Sequence, residues 1–391
     1  MLRTLLLTSR APWPPIGGDR LRTSQLATAL SALGPVSLVY AGDEPESAVR
    51  AGLPFLEAVR GVPLGRLGAA RRVGVDLVRG GSLQQALYAD PALRGAVRER
   101  MAQTDVVVAH LLRSVPWVPA DSPPLLVCLQ DALAAQASEA TRAPGAAGGW
   151  RRLAMRVEQP RLAEAELAAA RHAAHLTTIT ARDRDLLVAA GLPSDRITVV
   201  PAQVGTIATA PADPTPDTIT FLGNLRTASN QDMATWLARR ILPMVRTQAR
   251  GATLRICGVE APPAVRALGE LPGVTFVGPV DDPHAELARA WLTVCPLRFG
   301  SGVQNKVLES LAAGTPVVAT PRVLETLHFE AVRAVRTGSH ERALAVAIVD
   351  LLRDREARDA LGAAGIAFVR EHHGERAFAP LLARVRELAA G

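Results

Sequence analysis

The sequence predicts an α/β protein built from two parallel-sheet domains of Rossmann-like size. Three observations predict it. Apolar runs of strand length alternate with helical patterns from end to end, the signature of βαβ units. Residues 202–217, AQVGTIATAPADPTPD, are Pro-rich, poor in charge and without periodicity, and they divide those runs into two sets. The 391 residues are 48% hydrophobic and 21% charged, which supplies two cores of ordinary size.

In the first set, strands are expected at Thr4–Thr8, Val36–Tyr40, Asp105–Ala109, Leu125–Cys128, Leu176–Ile179 and Ile197–Val200. In the second they fall at Thr218–Leu222, Thr253–Cys257, Val274–Val277, Leu292–Cys295 and Val317–Ala319. The tail, Glu375–Ala390, reads as a helix whose apolar stripe (Phe378, Leu381, Leu382, Val385, Leu388) needs a surface to lie on. Expected domains are therefore 1–204, 205–370 and a terminal helix within 371–391.

Composition excludes several classes. Cys128, Cys257 and Cys295 are odd in number and far apart, and each closes an apolar run, so they read as reduced core residues in a cytoplasmic protein. The opening MLRTLLLTSR is too short an apolar run for a signal peptide, and no uncharged stretch reaches membrane-spanning length. The chain carries 44 Lys and Arg against 37 Asp and Glu, for a net charge of +7. Aromatics are only 4% and the arginines are dispersed, so no nucleic-acid partner is expected. Among the basic residues one alone is a lysine, Lys306.

Ligands of open parallel sheets bind beyond the carboxyl ends of the strands. After the first strand, Gly17 and Gly18 precede a helical pattern, where backbone N–H groups and the helix dipole can receive a phosphate. The alternative is a Pro/Gly turn with Asp19 as N-cap. The run Asp105–Ala109 delivers His110, and Leu125–Cys128 delivers Gln130 and Asp131. This places a histidine and a carboxylate where they can bind a sugar hydroxyl or assist proton transfer. A histidine that merely holds the loop Leu111–Trp117 is the other reading.

The richest stretch runs from Arg298 to Thr320, RFGSGVQNKVLESLAAGTPVVAT. A strand leads into Gly300-Ser301-Gly302, then a helix with apolar Val303, Val307, Leu308 and Leu311, then a Gly-Thr-Pro turn. Lys306 and Glu309 share a helix face, consistent with a phosphate and a ribose contact on one nucleotide, or with an i,i+3 surface ion pair. No metal cluster is expected, because the eight histidines lack ligand-like spacing to carboxylates and His372-His373 reads as solvated. Residues Val62–Arg79 mix arginines with apolar residues. They suit either an anionic lipid surface, hence peripheral membrane attachment, or a solvated amphipathic face, with Gly65, Gly68 and Gly74 weakening a helix.

The stretch Arg298–Thr320 resembles the signature of the retaining glycosyltransferases of family four, among the group 1 glycosyl transferases. PPIGGDRLRTSQLATAL is similar to that family's N-terminal glycine loop, VVVAH to its strand ending in histidine, and FLGNLRTASNQDMATWLARRILP to the start of its donor domain. The resemblance implies an α/β GT-B fold of two facing Rossmann-like domains, with the C-terminal helix packing back on the N-terminal domain. It implies transfer of a sugar from a nucleoside diphosphate sugar, UDP first and GDP second, to a hydroxyl or amine of a glycan, lipid or small metabolite. Retention without a carboxylate nucleophile implies front-face attack.

Carried over by position, Glu309 grips the ribose, while Gly17, Gly18, Gly223, Ser301, Gly302 and Val303 lie along the donor. His110 lies near the reacting sugar, and Asp19 and Asp131 are candidates for the acceptor. The chain departs from the family pattern in three places. Ser301 stands where a second glutamate is usual, Gly223-Asn224-Leu225-Arg226 lacks the usual lysine, and Ala202-Gln203 replaces an Asn-Gly. Lys306 and Arg226 are then the candidates for the displaced phosphate contacts. No cofactor or metal is implied, the nucleotide sugar being a substrate. Two rivals remain: a nucleotide-sugar 2-epimerase of the same fold, and a degenerate non-catalytic GT-B binding subunit.

Overall fold

The protein is described by a computed structural model covering residues 1–391 except 16, 66–67, 69–71, 74–80, 143–148, 210–213 and 301. It divides into two units, Met1–Gln203 with Ala377–Gly391, and Val204–Arg376.

The first unit holds a seven-stranded parallel sheet of β1 (Thr4–Thr8), β2 (Val36–Ala41), β3 (Leu56–Val62), β4 (Val106–His110), β5 (Leu125–Gln130), β6 (His175–Thr178) and β7 (Ile197–Val199). Its order is β3-β2-β1-β4-β5-β6-β7. The inner strands read as unbroken apolar runs because both faces are covered. Leu5, Leu7, Val107, Ala109 and Val127 join the core on one face, while Leu6, Val106, Val108 and Leu126 join the core on the other. The second face is completed by Phe378, Leu381 and Val385, the last two from the terminal helix Ala379–Ala390. The guanidinium of Arg22 lies over the Phe378 ring at 4.3 Å.

The second unit holds a six-stranded parallel sheet of β8 (Thr218–Leu222), β9 (Thr253–Cys257), β10 (Val274–Gly278), β11 (Leu292–Cys295), β12 (Val317–Ala319) and β13 (Val335–Thr337), in the order β10-β9-β8-β11-β12-β13. The strands β3 and β13 are additions to those read from the sequence. Both lie at a sheet edge, and their polar interruptions (Glu57, Arg60 and Gly61; Arg336 and Thr337) are what an edge tolerates and a periodicity reading misses.

The stretch 202–217 is not a free tether where it is described. Its backbone N–H groups at Val204, Ala208 and Thr215 donate to the carbonyls of His373, Ala312 and Arg289, binding it to the second unit. All three cysteines are buried free thiols.

Candidate functional site

In each sheet the chain order reverses beside the first strand of the unit, between β1 and β4 and between β8 and β11. Such a switch point is where a parallel sheet opens a crevice at its carboxyl edge. Each crevice holds a polar cluster.

In the first unit, β4 pairs with β1 so that His110 stands beside Thr8. Its imidazole is 1% exposed and fully engaged. Its Nδ1 lies 3.2 Å from the Thr23 hydroxyl, which itself donates to the Asp19 carbonyl, and its Nε2 lies 2.6 Å from the Gln130 amide nitrogen. Those contacts are met by a neutral ring that donates from Nδ1 and accepts at Nε2. Burial holds the His110 pKa down at about 4, with Arg22 and Arg113 lowering it further and Asp19 pulling the other way.

Gln130 reaches the ring from a left-handed backbone, φ 68°, and Leu111 after His110 is left-handed too, φ 73°. Two such non-glycine residues on adjacent strand ends cost about 1–3 kcal/mol each, and the packing around His110 sustains them.

The helix Gly18–Ser31 begins in the same crevice. Gly17, φ 89°, takes the left-handed turn that lets it start, and no side chain caps it. Asp19 is therefore not the N-cap: its carboxylate accepts from Arg113 at 2.9 Å and stands 3.8 Å from His110. Arg113 also donates to Ser9 at 2.6 Å. Arg113 and Thr23 escape a sequence reading, since they carry no motif and meet His110 only through the fold.

In the second unit, β8 and β11 pair through only Ile219–Leu292 and Thr220–Thr293, so the sheet parts early at its carboxyl edge. The loop after β11 carries Gly300 and Gly302, both left-handed at φ 115° and 79°, and leads into the helix Asn305–Ala312, again without a side-chain cap. Ser301 lies outside the described residues, and Val303 precedes the helix. The loop is anchored twice: Arg298 pairs with Asp232 on one side, and Arg322 donates to the Gly300 carbonyl at 3.1 Å on the other.

Lys306 points across this opening. Among the described residues the one hydrogen bond of its ammonium is to Asn230 Oδ1, and the ammonium lies 4.9 Å from the centre of the Phe221 ring. The Asn230 amide donates in turn to the Asn224 carbonyl at 2.8 Å, which ties the lysine to the loop after Gly223. An added Cβ at Gly223 would stand 3.0 Å from the Asn230 side chain, so the residue leaves room for that contact.

Burial lowers the Lys306 pKa, while Glu309 one turn on opposes the shift. Burial raises the Glu309 carboxyl, with Lys306 opposing. The two make no ion pair, which removes the surface-pair alternative, and the Glu309 carboxylate has no hydrogen-bond partner among the described residues. Beneath Lys306 lies a small cavity lined by Thr220, Thr293, Cys295 and Ser310, where both threonine hydroxyls lack a partner.

Other expected residues fall elsewhere. Arg226 is exposed, 3.8 Å from Glu260. Among the described residues no hydrogen bond or ion pair joins Asp131 to His110. Burial pushes the Asp131 carboxyl up to about 7, Asp183 raises it further and Gln136 opposes. Most of the arginine-rich segment 62–79 lies outside the described residues. The solvated reading of His372-His373 is corrected: His373 is 4% exposed, and His372 sits 2.7 Å from Glu330 with its ring stacked on His328. Among the described residues no helix is long and apolar enough to cross a membrane.

Comparison with known proteins bears on the second unit most directly. Residues 216–354 match the family model described as glycosyl transferases group 1, a span that includes Gly223, Asn230, Lys306 and Glu309. The whole chain is similar in structure to HepE from Anabaena, solved with UDP and glucose, at 13% identity over 99% of both chains and a TM-score of 0.65. It is similar to sucrose-phosphate synthase from Thermosynechococcus elongatus at 18% identity over 99% of both chains, TM-score 0.71. It is also similar to the trehalose-6-phosphate phosphatase N-terminal domain of Candida albicans at 10% identity over 99% of this chain and 97% of that one, TM-score 0.67. No curated protein sequence matches significantly. The fold is the α/β GT-B fold, and the residues that match the glycosyl transferases group 1 model lie in its second half.

Proposed function

We propose that the protein is a retaining glycosyltransferase of family four that moves a sugar from a nucleoside diphosphate sugar to an acceptor hydroxyl or amine. The observation that carries this reading is Lys306: a lysine whose ammonium, among the described residues, makes a single hydrogen bond, held at the β8/β11 switch point one helical turn from a Glu309 carboxylate that makes none among them. A cation lowered by burial gains most from an anion that enters beside it. A diphosphate supplies that anion, and a ribose diol supplies the donors that Glu309 lacks.

Most of the charge that develops during transfer resides on the diphosphate leaving group. Catalysis then rests on positioned cations and N–H dipoles. Lys306 takes that role, with the uncapped helix start at Asn305 and the glycines Gly300 and Gly302; Arg226, exposed on its loop, can swing toward the same phosphates. Gly17 and Gly18 offer a second uncapped helix start. His110, neutral and bonded at both ring nitrogens, is suited to hold Thr23 and Gln130 in fixed positions at its strand end, with Asp19 nearby. Attack from the donor's own face lets the leaving phosphate oxygen accept the acceptor proton.

UDP is the first candidate nucleotide, since HepE structures hold UDP and UDP-glucose. The reading places the enzyme in the cytoplasm with at most salt-sensitive, peripheral membrane contact, independent of metal, and leaves the acceptor open.

Incubation with UDP- and GDP-sugars, with and without a panel of acceptors, tests it. The expected outcome is acceptor-dependent release of nucleoside diphosphate and a product with the donor's anomeric configuration by NMR. Epimerised sugar nucleotide from donor alone would replace this reading with the 2-epimerase. Nucleotide binding without turnover of any donor would favour a binding subunit.

A further inference from the structure

Outside both crevices, the second unit brings together three side chains from two separate stretches of sequence. The short 3-10 helix Phe329–Arg333 packs against the helix Arg355–His372, so that His328 and Glu330 meet His372. One ligand-type atom from each lies within 4.8 Å of the other two. Glu330 Oε2 is 2.7 Å from His372 Nε2 and 4.0 Å from His328 Nδ1. The two imidazole rings stack at 4.1 Å.

We infer that His328, Glu330 and His372 form a binding site for one divalent transition-metal ion of the zinc class, which clamps residues 328–333 to the end of the helix Arg355–His372. Two imidazoles and one carboxylate are a borderline-soft N/O set, suited to zinc and poorly suited to calcium or magnesium. A tetrahedral ion with ligand bonds of about 2.0–2.1 Å separates its ligand atoms by about 3.3 Å. The observed 2.7 and 4.0 Å bracket that spacing, so the Glu330 carboxylate need shift only by several tenths of an ångström.

His328 is the side chain that must turn, to bring its ring plane onto the ion. It is 41% exposed, and the one hydrogen bond its Nδ1 accepts, from the Glu330 N–H, is long at 3.5 Å. His372 is held more firmly, its ring against Phe368 at 5.1 Å. The three protein ligands leave a fourth position to water.

The simpler possibility is that Glu330 and His372 share only a hydrogen bond. Calorimetric titration of the full, tag-free chain with zinc chloride separates the two. One equivalent is expected to bind. Glu330→Gln and His328→Ala should each weaken it by at least about 10-fold, while His284→Ala, on the helix Pro283–Ala288 and outside the cluster, should not. Cobalt substituted for zinc should give the intense visible bands of a tetrahedral ion.

His328 is exposed, so its variant tests the site even where His372→Ala disturbs folding. Zinc binding that is absent, or that persists undiminished in either Glu330→Gln or His328→Ala, would overturn the assignment, as would a cobalt spectrum indistinguishable from that of the hydrated ion.

Discussion

The crevice of the first unit and that of the second occupy equivalent places in their sheets, yet they satisfy their polar groups differently. In the first, His110 is neutral and saturated: Thr23 and Gln130 take both ring nitrogens, and Arg113 neutralises Asp19. In the second, the Lys306 ammonium has one hydrogen bond and the Glu309 carboxylate none among the described residues, although burial disfavours the charge of each. A saturated cluster is rigid before a ligand arrives. An unsaturated one loses least, and gains most, when a ligand completes it. On the proposed function, binding energy for a charged donor falls to the second unit and fine positioning to the first.

Substitutions can break that contrast in order of size. Lys306→Met should lower kcat about 100- to 1000-fold with the fold intact, measured as nucleoside diphosphate release. His110→Ala should lower turnover about 100-fold while leaving UDP affinity unchanged by calorimetry; a loss of UDP affinity would erase the division of labour. Glu309→Gln should weaken UDP by about 10-fold or more, and weaken the 2′,3′-dideoxy nucleotide far less.

The first unit also carries a pH signature that is smaller in effect. His110 and His175, both held at about 4 by burial, stay neutral in the fold while the unfolded chain takes up protons below about pH 6.5. Their contribution is whole above about pH 6.5 and is lost as pH falls. Asp131 and Glu166, both pushed up to about 7 by burial, do the reverse: the fold holds protons that the unfolded chain has released, so stability is lost as pH rises toward 7. These opposed slopes overlap between about pH 4 and 7. Glu166→Gln should unmask the histidines, so that stability in urea rises more steeply with pH across that window, by up to about 3 kcal/mol.

Much of this is legible in the sequence because buried parallel strands announce themselves as apolar runs, and because glycines before a helix mark a place for phosphate. The eleven expected strands all form, five with the expected bounds and six with an end shifted by one or two residues. The edge strands β3 and β13 are hidden by their charged and polar residues, which only the finished sheet explains. Lys306 stands out by being the chain's only lysine, but its partner Asn230 lies 76 residues away and no spacing links them. Likewise Arg113 and Thr23 meet His110 through tertiary packing, and His328, Glu330 and His372 come together only when two helices pack. Pattern reading finds what recurs along one element; it is blind to pairs made across the fold.

Whether Lys306 anchors a nucleoside diphosphate is tested most directly by calorimetric titration of UDP into the wild-type chain and into Lys306→Ala. One equivalent should bind to the wild type and about 10- to 100-fold more weakly to the variant, with the difference much smaller for uridine, which has no phosphates. Equal UDP affinity in a folded Lys306→Ala protein would contradict it.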